Sequence, residues 1–350
     1  MKNYLGRRFG RASVAIMASS ALLGALALPA SASDFSVSTI SGLSSPNALY
    51  NDGVHLWVAN SGNATVSEFD LATNALIKTI SVGSQPDDIA SDGTHVWVTD
   101  YNTTNLYAID IATGVVTNTI PVGSNADGVY SDGTHVFVAN SGDGTVTQVD
   151  ATTGSVLATI TVGSGPDEAI SDGTTMWVTN GGDNTVNSVN IATGTITSTI
   201  PVGTSPDGIV QSGNYLWVAN EDSNSVSKID ATTKTVIATI AVGKTPKDLT
   251  VHGNFVWVGN NGDNTVTQID ATTDAVLSTT PVGSGPTDVA ADNSHVWVAN
   301  GDGNSLSVFD LASTLAHTGS NTASSLVLGS LLVVGGCLAL SVSRRRSRLI

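Results

Sequence analysis

An aromatic side chain returns every 40 positions along this 350-residue chain, at Trp57, Trp97, Phe137, Trp177, Trp217, Trp257 and Trp297. Each sits in the same local string: HLWVAN, HVWVTD, HVFVAN, TMWVTN, YLWVAN, FVWVGN and HVWVAN. All six tryptophans of the chain fall at this one place. A fixed period of this length means one supersecondary unit used seven times. Each unit is too small to bury its own apolar face, so neighbours must stack.

Within a unit the punctuation is that of short strands. In the second copy, strands are read at 88–91, 95–100, 106–111 and 115–122, separated by Asp92-Gly93, by 102–105 and by Ala112-Thr113-Gly114. These turn residues supply the left-handed and Asx geometries that tight hairpins need. Consecutive apolar residues, as in HVWV, indicate a strand covered on both faces. The expected fold is therefore all-β: a seven-bladed β-propeller with four antiparallel strands per blade. Its closure is also written in the chain. The fourth-strand pattern is present in the first six copies, whereas the seventh stops after its third strand at Phe309-Asp310. The missing strand stands at the front, where Phe35 to Ile40 lies 40 residues before Ala75 to Ile80. Pairing of that segment with 305–310 removes two open sheet edges together.

At these strings the chain resembles the YVTN family of β-propeller repeats, over residues 35 to 313, with WVAN and WVTN where the family has its name-giving tetrapeptide. The resemblance implies the same ring.

The two ends read as addresses. Residues 1–32 have the order of a signal peptide: Lys2, Arg7, Arg8 and Arg11, an apolar run from Val14 to Leu28, then Ala30-Ser31-Ala32, with cleavage expected between Ala32 and Ser33. General secretion is the default route, and the pair Arg7-Arg8 before Phe9 hints at twin-arginine export. Residues 33–313 form the propeller and 314–350 a C-terminal signal. In that signal Leu315, Ala316, His317, Thr318 and Gly319 precede an apolar segment, 326–342, and the basic tail Arg344-Arg345-Arg346-Ser347-Arg348. This order resembles a sortase cell-wall sorting signal of the Leu-Ala-any-Thr-Gly form used in high-GC Gram-positive bacteria. The resemblance implies cleavage between Thr318 and Gly319 and transfer of the Thr318 carbonyl to an amine of a peptidoglycan precursor, so that sortase and that precursor are partners. As a helix the 17-residue apolar segment spans about 26 Å, short of the ~30 Å bilayer core but enough to hold the chain during processing. A plain membrane anchor is the alternative.

Charge narrows the partners. All 29 acids and only five lysines (Lys78, Lys228, Lys234, Lys244, Lys247) lie between Ser33 and Thr318, a net charge near −24. Such a surface repels nucleic acid. The single cysteine, Cys337, lies in the apolar C-terminal segment, so the body has no disulfide and no thiolate chemistry.

Candidate binding residues lie in the loops from fourth to first strands: Asp87, Asp88, Asp127, Asp167, Glu168, Asp207, Lys247, Asp248 and Asp288. Converging carboxylates suit a hard cation such as calcium, while Asp repeated in every copy also serves simply to build turns. Two departures from the repeat, Lys244 and Tyr101, are candidates for contact with a glycan or an acidic partner. The four histidines beside the first hairpin, His55, His95, His135 and His295, read as structural and lie on the opposite face. No long insertion and no G-x-S-x-G, H-E-x-x-H or phosphate-cradling motif interrupts the repeats. No catalytic residue is assigned. A displayed binding or adhesion module is the leading expectation, beside a structural coat component and a metal-dependent propeller hydrolase or lyase of the lactonase kind.

Overall fold

The computed structural model describes residues 35–311. The expected signal peptide with its Ala32/Ser33 cleavage site, the expected sorting motif at 315–319 and the apolar segment after it lie outside these residues. Among the described residues no helix is long and apolar enough to cross a membrane.

There are 28 strands, from β1 (Ser36–Ser41) to β28 (Ser305–Asp310), arranged as seven four-stranded antiparallel sheets. Blades 1 to 6 begin at Pro46, Pro86, Ala126, Pro166, Pro206 and Pro246, and each runs through four strands in chain order. Blade 7 starts at Pro286 and takes β1 as its outer strand. The register of that closing pair runs from Ser36 opposite Asp310 to Ser41 opposite Ser305, as the split repeat predicts.

The expected two-sided burial is found. In the second strand of each blade the five residues after the first are all buried, and the six tryptophans and Phe137 are at most 1% exposed. The core is not one mass but seven clusters, each drawn from two adjacent blades. Trp97 and Leu106 of blade 2, for instance, pack with Val129 and Val136 of blade 3. The cluster that joins Leu49, Leu56 and Phe69 of blade 1 to Trp297 and Leu306 of blade 7 seals the ring.

One feature escaped the sequence pattern. In blade 2 the first strand begins at Pro86, two residues before the expected start at Asp88, and its pairing slips between Pro86 and Ile89. A slip recurs in every inner strand, one residue shorter in blades 1 and 7. A β-bulge breaks the two-residue alternation and turns extra side chains inward. Most bulge residues are polar or glycine, so hydropathy alone does not mark them as strand.

Candidate functional site

The innermost strands surround a channel, and its cavity of about 370 Å³ is lined by the bulge residues of all seven blades. At the first bulge position stand Asn47, Asp87, Asp127, Asp167, Asp207 and Thr287, with Lys247 completing the set; at the second stand Ala48, Asp88, Gly128, Glu168, Gly208, Asp248 and Asp288. The eight acids expected to be candidates therefore do converge.

The second-position acids are tied to backbone. Asp88 accepts the Val129 N–H of the next blade at 2.6 Å, and Glu168 accepts the Ile209 N–H at 2.6 Å. Asp288 accepts the Leu49 N–H across the ring closure, and Asp248 reaches the Val289 N–H at 3.4 Å. The bulge frees these N–H groups from the sheet, and a carboxylate from the neighbouring blade satisfies them. Where the recipient blade has Gly128, the absence of a side chain is required: a Cβ there would lie 2.4 Å from the Asp167 carbonyl oxygen.

The first-position acids are less committed. Asp167 accepts one backbone N–H, from Gly181 at 3.1 Å, and Asp87 accepts the Asn47 amide at 2.7 Å. Lys247 brings the positive charge to this ring: its Nζ lies 3.3 Å from Asp207 and 3.2 Å from Glu221.

Burial governs the protonation of the set. It pushes Asp88 up to about 8 against the pull of the Val129 N–H, and Asp167 up to about 8 with help from the charge of Asp207. Asp207, equally buried, is held to about 6 by Lys247. Glu168 is raised well above its ordinary value by burial and by Asp88. Burial raises both members of two hydrogen-bonded pairs, Asp87–Asp127 and Asp248–Asp288, and in each pair the bond pulls one partner (Asp87, Asp288) down and pushes the other up. Two carboxyls so placed favour sharing one proton over ionising together. Burial opposes the charge of Lys247, but the carboxylates of Asp207 and Glu221 outweigh it and raise its value.

The other two candidates lie away from the channel. Lys244 is mostly exposed and pairs with Asp263 at 3.5 Å. Tyr101 sits in a turn of blade 2, where its N–H donates to the Gln85 carbonyl and its own carbonyl accepts from Asn125. Glu221, at the position equivalent to Tyr101, was missed, although its departure from the repeat was a usable signal. Asn47 was missed because the first copy diverges most from the others.

Asn at the end of the second strand is architectural: in blade 4 the Asn180 side chain accepts the Gly163 N–H at 2.9 Å and donates to Asn187 at 3.1 Å. The histidines behave alike, with the Nδ1 atoms of His55, His95 and His135 3.1–3.2 Å from the Asp of their own hairpin. As arranged, no three His, Cys, Asp or Glu side chains among the described residues close on one point as a metal site would require. The channel offers calcium several carboxylates but no ready-made cage.

No protein-family profile matches the chain, and no curated protein sequence does. Solved structures do. The chain is similar to Kuenenia stuttgartiensis hydrazine synthase, at 20% identity and a TM-score of 0.70, over 78% of this chain and 97% of that one. It is similar also to a streptogramin B lyase, at 15% identity and a TM-score of 0.70, over 79% and 97%. At these identities the likeness is one of fold: both support a β-propeller.

Proposed function

We propose that this protein is a YVTN-type propeller displayed on a bacterial cell wall, where it binds a cationic group of a glycan or protein partner at its channel mouth. One observation carries this reading. Asp87, Asp127, Asp167 and Asp207 line one cavity with Lys247 as the single cation among them. Carboxyls whose protons are held by burial release them readily when a cation replaces the proton, so binding is expected to be accompanied by proton release. The export and sorting signals read from the sequence support the location, and the rigid ring supports presentation rather than motion.

The test is a glycan and peptide array probed with wild type and with Asp127→Asn/Asp167→Asn/Asp207→Asn. The expected result is a positively charged ligand that the triple variant no longer retains. Equal retention by both would refute a channel site. Wall attachment is tested separately: Thr318→Ala should leave the protein extractable by detergent, and persistent covalent linkage to wall fragments would overturn sorting by sortase.

A second reading has its own support. Asp207 at about 6 and Asp167 at about 8 lie in the range useful for general acid–base work. A metal that survives dialysis, lost in the same triple variant, would favour a hydrolase or lyase over a binding module.

A further inference from the structure

Away from the channel, a second cleft of about 890 Å³ opens between blades 3 and 4. Its walls include His135, Gln148, Leu157 and Ala158 from blade 3, and the 190–194 turn from blade 4. The internal symmetry of the ring shows what belongs there, because the same place at five of the other blade interfaces is filled by the chain itself.

Between blades 1 and 2, Lys78 donates to the Thr113 carbonyl at 3.2 Å and lies 3.7 Å from Glu68. Between blades 4 and 5, Lys234 donates to Thr197 at 2.8 Å and Ser188 at 3.0 Å, with its ammonium 5.8 Å from the Trp177 ring centroid. Between blades 5 and 6, Lys228 donates to the Ala271 carbonyl at 2.9 Å and to Asp274 at 2.6 Å, 4.6 Å from the Trp217 ring. Three different positions of the repeat thus deliver a lysine ammonium to one kind of hole. Elsewhere Asn does the filling: Asn118 stands against Gly154 between blades 2 and 3, and Asn74 accepts the Trp297 N–H between blades 7 and 1.

Between blades 3 and 4 the three lysine positions are Ala158 (for Lys78), Gln148 (for Lys228) and Gly194 (for Lys234). Neither Ala158 nor Gly194 reaches across. The acceptors remain: Ile191 and Thr193 present the carbonyls equivalent to those of Ala271 and Thr113. Gln148 is 7% exposed, lines the cleft, and its amide has no hydrogen-bond partner. The amide is therefore open to the cleft, where a ligand group can meet it. Opposite Gln148 in the strand pair stands Phe137, the one repeat aromatic that is not Trp.

We propose that this cleft receives a primary ammonium on an alkyl chain, namely a lysine side chain of a partner protein, in the position that Lys78, Lys228 and Lys234 fill at three of the other interfaces. The ammonium would donate to the 191 and 193 carbonyls and to Gln148 Oε1, and the acidic body would draw it in.

The experiment titrates Nα-acetyl-lysine methylamide into the full-length protein by isothermal calorimetry, with the Nε-acetylated analogue as control. Wild type should bind the free amine, and the acetylated analogue should bind about tenfold more weakly or less. Ala158→Lys, which copies Lys78, should fill the cleft, raise the melting temperature and abolish binding. Asp167→Asn, which alters only the channel mouth, should leave the affinity unchanged. No binding by wild type, equal binding by Ala158→Lys, or loss of binding confined to Asp167→Asn would each overturn the proposal, the last by placing the amine in the channel.

Discussion

Trp97 and Trp177 occupy equivalent places in blades 2 and 4, each 1% exposed, yet their indole N–H groups end differently. Trp97 donates to Asp92 at 2.9 Å, whereas the Nε1 of Trp177 is buried without a partner. Trimming either ring to Phe removes packing at a cost of about 1–3 kcal/mol. Only Trp97→Phe also strips a donor from a carboxylate, a further loss of roughly 1.5–3 kcal/mol. Urea denaturation should therefore rank Trp97→Phe as clearly the more damaging. Equal costs would mean that the Asp92 bond contributes nothing. Phe137 shows that the ring tolerates the smaller aromatic where no such bond exists.

At the scale of elements, the strand that closes the ring is the weak point, because its pairing joins residues some 270 apart in sequence. Closing so long a loop costs entropy that its own contacts must offset. Those contacts include an aromatic clasp: Phe35 meets the Trp257 ring edge-on at 5.1 Å and Phe309 at 5.8 Å. Deleting residues 35–41 is expected to lower the melting temperature markedly, and Phe35→Ala to cost about 2 kcal/mol by the same assay. An unchanged melt after the deletion would mean that β1 is not what holds blade 7 to the ring. The bulged inner strands are the complementary case: they give up regular pairing in order to aim acids inward, and the neighbouring blade's carboxylates repair the loss.

The whole molecule has two opposed sets of carboxyls, and together they set its response to pH. The channel acids are raised by burial, so the folded state holds their protons more tightly than the unfolded one. Their contribution is present in full below the unfolded value near 4 and is lost as pH rises through about 6 for Asp207 and about 8 for Asp88 and Asp167. Asp52, Asp132 and Asp172 lie below their ordinary value: burial, which opposes their charge, is outweighed by hydrogen bonds from their hairpins and, for Asp52, from Trp57. Their contribution is lost as pH falls through the acid range. The melting temperature should therefore peak in mildly acid solution and decline toward about pH 9. Asp167→Asn should raise it at about pH 9 and leave it nearly unchanged at about pH 3; a profile identical to wild type would show that Asp167 is not a buried charge.

From the sequence alone came the architecture: the 40-residue period counts the blades, Trp or Phe marks each second strand, and the split seventh copy specifies how the ring closes. These are legible because packing repeats, and a repeated contact leaves a repeated letter. The acids of the loops were legible as residues but not as a site, since Asp in a turn and Asp in a channel look the same in one dimension. Only the tertiary structure separated the acids that staple one blade to the next from those that face the cavity, by showing which N–H groups each bulge sets free. The cleft between blades 3 and 4 was hidden for a related reason. It arises from three small or uncharged residues, Gln148, Ala158 and Gly194, that lie apart along the chain and meet only when two blades are laid side by side.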